Sequence, residues 1–280
     1  MKILDRELDP KTLSMSERLL AEFVSKNLDK MIYLSTNEIA EALDLSAATV
    51  SRFWRSIGFA SFKDFKQALK TSIENDSPAG KMKDILNRVE KQHVFDVLAD
   101  LVSENIRHTA AFLDADTLDA AVRLLAESDA VYLFASGAAT ALNELLAFRL
   151  HRLGHRVHVR KGGGSAVLES LLNISSRDVA VIFSFSHVRS EQRVILDHCQ
   201  RQGIPSLLIT DLLTSELVPQ ADIVLQVERG EIWEFHSMVP PLLLVESLVV
   251  GLARLKEAQA LNKLETLSAL RERYKDELPR

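Results

Sequence analysis

Five short runs rich in β-branched and aliphatic residues recur between helical patterns in the second half of this chain. The runs are Ala130 to Ala135, His155 to Val159, Val179 to Phe183, Ser206 to Thr210 and Ile223 to Val227; the helical patterns cover 138–153, 165–172, 189–202 and 238–259. Strands spaced this far apart do not pair as hairpins. They pair in parallel with helices as crossovers, so both faces of the sheet are covered. Val179 to Phe183 constrains the fold most, because a strand with five consecutive apolar residues and no alternation is buried on both faces. The expected architecture is an α/β unit with a five-stranded parallel sheet covered by helices on both faces. Ligands of such sheets bind outside the carboxyl ends of the strands. That rule selects Ser136-Gly137, Lys161 to Ser165, Ser184 to Arg189, and Thr210-Asp211.

The loop after the third run holds Ser184, Ser186, His187, Arg189 and Ser190 before a helix carried by Val194, Ile195 and Leu196. A polar turn between a buried parallel strand and a helix N-terminus offers free backbone N–H groups and the positive helix end, so it is expected to hold an anion. Lys161-Gly-Gly-Gly-Ser165 can add amides to the same anion. It lacks the Gly-Lys-Ser/Thr order of a nucleotide loop, and a plain flexible turn explains it equally well.

At 280 residues and 47% apolar composition, the chain has material for two cores. Its single cysteine, Cys199, excludes an internal disulfide and a cysteine-based metal cluster, and is expected to be a buried thiol on a sheet-packing helix. The opening MKILDRELDP alternates charges where a signal peptide needs an apolar stretch, and no run approaches a membrane span. A soluble, cytoplasmic protein is expected, without membrane partner or cofactor.

Ser14 to Leu28 predicts a first helix with Leu19, Leu20, Phe23, Val24 and Leu28 on one face. Next, Ser35 and Glu38 form a capping box for a short helix ending near Leu43. Asp44-Leu45 makes a tight turn, and Ser46 caps a helix to about Ile57. Ile39, Ala40, Leu43, Leu45, Val50, Phe53 and Ile57 are spaced to fill the angle between the two, which is a helix-turn-helix pattern. Thr49, Ser51, Arg52 and Arg55 point away from that core. Between 46 and 70, Arg52, Arg55, Lys63, Lys66 and Lys70 face the single acid Asp64, inside a chain whose net charge is −5. A local basic surface meets the demand of phosphate neutralisation, and short polar side chains near the helix start reach base edges in the major groove. The candidate DNA-binding residues are Ser46, Thr49, Ser51, Arg52, Arg55 and Lys63. A helical hairpin with a solvated basic face is the alternative. Trp54 is expected in the core.

The turn-rich set Asn75 to Gly80 marks a linker over 75–92, between a DNA-binding domain at 1–74 and an α/β domain at 93–280. Two helices, about 93–112 and 116–127, precede the first strand.

Both halves resemble one family. Ser35 to Phe59, ending in Val50-Ser-Arg-Phe-Trp-Arg-Ser-Ile-Gly-Phe, resembles the N-terminal domain of RpiR-type transcription regulators; about 129–255 resembles the sugar isomerase (SIS) domain that follows it there. The resemblance implies a homodimeric or homotetrameric regulator that binds double-stranded operator DNA and senses a small anionic metabolite, a sugar phosphate, in its SIS domain. SIS domains carry Gly-x-Gly-x-Ser after the first strand, where this chain has Ala135-Ser-Gly-Ala-Ala139, keeping Gly137, with Ser136 and Thr140 as hydroxyls. After the third strand they show Ser-x-Ser-Gly-x-Thr-x-x-Glu or a close variant. Ser184 and Ser186 match, His187 replaces glycine, Arg189 replaces threonine, and Glu191 lies nearby. The ligand-binding candidates are Ser136, Gly137, Thr140, Ser184, Ser186, His187 and Arg189. Arg189 at a helix N-terminus is a strong anion partner that holds phosphate or carboxylate by charge. Alternatively, His187 fills the space of the glycine and the pocket takes another ligand or none.

Two other functions compete. Glu231, Glu234 and His236 are residue types that a sugar-phosphate isomerase uses for proton transfer, although polar residues at a loop-to-helix junction account for them. The other is a DNA-binding regulator with a ligandless SIS dimerisation module. His151, His155 and His158 straddle a helix end and a strand, a spacing that does not make a metal site. The leucine-bearing helix from Arg254 to Arg280 is expected to cover the sheet edge or a second subunit.

Overall fold

The computed structural model describes residues 2–278 except 4–5, 8–12, 28–30, 75–76, 91, 161–162, 213–214 and 231–233. Leu28, Asn75, Asp76, Lys161, Gly162 and Glu231, which fall in the stretches read above, lie outside the described residues. The chain forms two compact units, one of residues 1–97 with 230–236, the other of 98–229 with 237–280.

The first unit opens with a two-residue antiparallel pair, β1 (Lys2–Ile3) and β2 (Arg6–Glu7), and continues in helices. α1 (Met15–Lys26) starts on a capping box in which the Ser14 N–H donates to Glu17 Oε2 at 2.9 Å. α2 (Thr36–Ala42) starts on the expected box: Glu38 N–H donates to Ser35 Oγ at 3.2 Å and Ser35 N–H to Glu38 Oε2 at 2.7 Å. Its end is a Schellman turn. Leu45 N–H reaches back to Ala40 O at 2.8 Å, which places Asp44 at φ 54°, a left-handed position that aspartate tolerates better than most side chains. α3 (Ala47–Ser56) follows and ends the same way, with Gly58 at φ 87° and Phe59 N–H on Trp54 O. α4 (Phe62–Glu74) then folds back.

Trp54 is fully buried, stacked on Phe65 at 4.4 Å and Phe62 at 4.8 Å, so it is core, as expected. Ile39, Ala40, Val50, Phe53 and Ile57 are buried with it, and Leu43 and Leu45 pack half-buried at the margin. The stretch expected as linker holds a 12-residue helix, α5 (Pro78–Val89). Ser77 caps it and Pro78 takes its first position, where proline lacks no needed donor, so part of the turn-rich signal is a helix start.

The second unit contains the sheet. β3 (Val131–Phe134), β4 (Val157–Val159), β5 (Val179–Ser184), β6 (Ser206–Thr210) and β7 (Ile223–Gln226) are all parallel in the order β4-β3-β5-β6-β7. Successive side chains serve opposite faces. Val179, Val181 and Phe183 join one core with α7 (Ala115–Glu127), α8 (Thr140–Arg152) and α11 (Val239–Leu255). Ala180 and Ile182 join another with α9 (Ala166–Leu171) and α10 (Ser190–Gln202). α6 (Val94–Phe112) precedes α7. The expected helix over 238–259 breaks at Lys256, whose ammonium donates to the Ala126 carbonyl at the end of α7, and α12 (Glu257–Arg273) follows. α12 packs on α8 and α11 and leaves Leu261, Leu264 and Leu270 exposed. No helix among the described residues is long and apolar enough to cross a membrane. The chain steps from β3 to β4 on one side and to β5 on the other, so the switch point lies between β3 and β5.

Candidate functional site

In the first unit, α3 turns Ser51, Arg52 and Arg55 to solvent, and α4 does the same with Lys63. Ser46 Oγ accepts the Thr49 N–H at 3.1 Å and lies 2.9 Å from Thr49 Oγ1, so the first task of these two hydroxyls is to start the helix. Arg52 Nη2 donates to Thr49 Oγ1 at 3.4 Å. Among the described residues neither Arg52 nor Arg55 forms an ion pair, which leaves both guanidinium groups for an anionic partner.

In the second unit, a cleft opens at the carboxyl ends of β3, β4 and β5. Ser136, Arg160, Gly163, Arg189, Glu191 and Gln192 give it polar walls, and Phe134, Val167 and Ile195 give it an apolar floor. Of the seven expected ligand residues, the cleft brings together Ser136 and Arg189. Gly137 (φ 61°) and Thr140, whose Oγ1 donates to Gly137 O at 2.8 Å, are exposed at the loop's outer side. Ser184 departs from expectation. It is fully buried and its Oγ donates to Gln192 Oε1 at 2.9 Å, so it holds the loop from behind rather than meeting a ligand.

The backbone of this loop also departs from expectation. Ser186 N–H donates to Asp211 Oδ1 at 2.8 Å, His187 N–H to Phe185 O at 2.8 Å, and Arg189 N–H to Gln192 Oε1 at 2.8 Å. Three amides that were expected to face an anion are occupied within the protein. Ser186 pays for this with a φ of 65°, in the left-handed region. His187 is exposed and does not line the cleft.

Behind the loop, Asp211 Oδ2 is 3.0 Å from Arg229 Nη1, with only 4% of the arginine side chain exposed, and the guanidinium lies 4.6 Å from the Phe185 ring centroid. Burial pushes the Asp211 carboxyl upward and the Arg229 guanidinium downward, and their mutual attraction opposes both shifts. With the Ser186 amide as a further donor, the geometry is that of an ionised pair. On the other side, Glu191 Oε1 accepts the Gly164 N–H at 3.0 Å, and that bond holds the glutamate below the usual carboxylate range.

The first unit's sequence matches the family model described as a helix-turn-helix domain of the rpiR family over residues 7–76, and the second matches the SIS domain over residues 124–251. The chain belongs to the RpiR family. This RpiR-family regulator is 26% identical over 217 residues to an uncharacterized HTH-type transcriptional regulator of Haemophilus influenzae, with 76% of this chain and 75% of that protein covered. Its fold matches the sugar isomerase domain of an RpiR transcription factor from Sphaerobacter thermophilus with a TM-score of 0.57 and 24% identity, covering 62% of this chain and 97% of that one. It also matches the Vibrio vulnificus NanR protein complexed with ManNAc-6P, with a TM-score of 0.59 and 20% identity, covering 93% of this chain and 94% of that one.

The isomerase-type residues of the RpiR-family chain are placed otherwise. Glu234 is ion-paired to Arg88 at 2.7 Å within the first unit. His158 stacks on Tyr132 at 4.5 Å, while burial and Lys256 lower the His155 pKa; among the described residues no group of three metal-ligating side chains comes together. Cys199 is buried on α10 and its thiol is pushed up to about 12. The folded protein should therefore leave Cys199 unmodified by iodoacetamide at pH 8, with full alkylation only in denaturant; mass spectrometry reads both. Sequence reasoning missed Arg160 and Gln192; Gly163 belongs to the glycine loop that it singled out. For Arg160 the signal was present, a cation one residue past a strand's carboxyl end.

Proposed function

We propose that this RpiR-family transcription regulator acts as a homodimer or homotetramer in the cytoplasm, reading a two-fold operator with α3 and sensing a sugar phosphate or related anionic metabolite in the cleft. Ligand binding changes operator affinity by favouring one placement of the DNA-reading units over another, a coupling between two separate sites. The observation that carries this reading is Arg189 at the N-terminus of α10, lining a cleft at the switch point of a parallel sheet. The NanR protein complexed with ManNAc-6P, of like fold, supports it. Ser136 supplies a hydroxyl, and Ser46, Thr49, Ser51, Arg52, Arg55 and Lys63 form the DNA-facing surface. The protein is a sensor in this reading, without isomerase activity.

Thermal-shift titration of the full chain with sugar phosphates and their uncharged parents tests it. A ligand that binds only the folded state raises the melting temperature with concentration. The expected result is a rise with phosphorylated compounds alone, lost in Arg189→Ala. No rise across the panel, or a rise that survives the substitution, overturns the site.

A further inference from the structure

Arg160 follows β4 by one residue, and Arg189 opens α10 beyond β5. Those strands flank β3 on opposite sides, two strand spacings or roughly 9–10 Å apart, so the two arginines approach the cleft from either side of the Ser136 loop. Both line the same cleft. Arg160 Nε is buried without a hydrogen-bond partner, a donor that is costly to leave unmade. Among the described residues neither arginine has an ion-pair partner. Among the described residues of the cleft lining the one acid is Glu191, which already accepts from the Gly164 amide. Two cations thus face one partly satisfied anion.

We infer that Arg160 is a second anion-recognition residue and that the cleft takes a ligand with two anionic groups, a phosphorylated sugar acid. This rests on reading the cleft as the effector site. The phosphate meets Arg189, where the positive helix end favours the more highly charged group. The carboxylate meets Arg160, whose planar fork matches it. Between them the carbon chain passes Ser136 over the apolar floor of Phe134, Val167 and Ile195.

The test is isothermal titration of the full chain with hexose 6-phosphates (glucose, mannose, galactose) and the matching hexonate 6-phosphates. At least one hexonate 6-phosphate should bind about tenfold or more tightly than its parent, the size of one charge-assisted contact. Arg160→Gln should abolish that preference, weakening hexonate 6-phosphates about tenfold more than hexose 6-phosphates, and Arg160→Lys should restore part of it. Arg189→Gln should weaken both classes. Circular dichroism melting confirms that each variant is folded, and loss of fold in Arg160→Gln leaves the Arg160→Lys comparison and the wild-type preference to decide. If hexose phosphates bind and no hexonate binds more tightly, or if Arg160→Gln weakens both classes equally, the two-anion reading is overturned and the effector site stands. If nothing in the panel binds, the effector-site reading falls as well.

Discussion

Replacing Arg52 and Arg55 together by alanine should lower operator affinity at least about thirtyfold at physiological salt, measured by fluorescence anisotropy on a labelled operator. Each contact to a base edge is worth about 1–3 kcal/mol, and two lost contacts multiply. Both side chains stand exposed on α3, so the double variant should melt within a degree or two of the parent and bind the effector unchanged. Salt separates two kinds of contact. If both arginines neutralise phosphates, the slope of log affinity against log salt falls by about two; if they read bases, the slope holds and discrimination between operator and random DNA shrinks. Operator affinity within threefold of the parent would show that α3 does not read DNA.

Asp211→Ala should destabilise the SIS unit by about 3–5 kcal/mol, because it leaves Arg229 charged, buried and without its carboxylate. For a domain of this size the loss corresponds to a fall in melting temperature of roughly 6–20 °C. It also frees the Ser186 N–H, so the left-handed turn at Ser186 loses its anchor. Asp211→Asn keeps an acceptor for that amide and removes the charge, and should fall between the two. Differential scanning calorimetry orders the three proteins. A melting temperature for Asp211→Ala equal to that of the parent would mean that the pair contributes no net stability.

The architecture was legible because it rests on local patterns. A β-branched run such as Val179 to Phe183 announces a doubly buried strand, and Ser35 with Glu38 announces a helix start; both stand where the residues require. The break at Lys256 was not legible. No proline or glycine marks it, and the partner of its ammonium, the Ala126 carbonyl, lies 130 residues earlier in the chain. The cleft was half legible. Arg189 follows from the loop motif, whereas pairing it with Arg160 requires knowing that β3 lies between β4 and β5. Gln192 looks like any exposed helical glutamine in sequence. Its burial, and its bonds to Ser184 Oγ, Arg189 N–H and Phe183 O, depend on how α10 docks on the sheet.

The occupied amides of the loop after β5 have an evolutionary consequence. A phosphate cradle made of main-chain N–H groups ties what is recognised to the conformation of the chain, so a change of ligand demands a change of fold. Here Asp211, Gln192 and the Phe185 carbonyl take those donors. On the reading of the cleft as the effector site, selectivity there passes to side chains that one codon can replace. On that reading the sensor can be handed from one metabolic pathway to another by point substitution at 136, 160 and 189, with its scaffold and its DNA-reading half untouched.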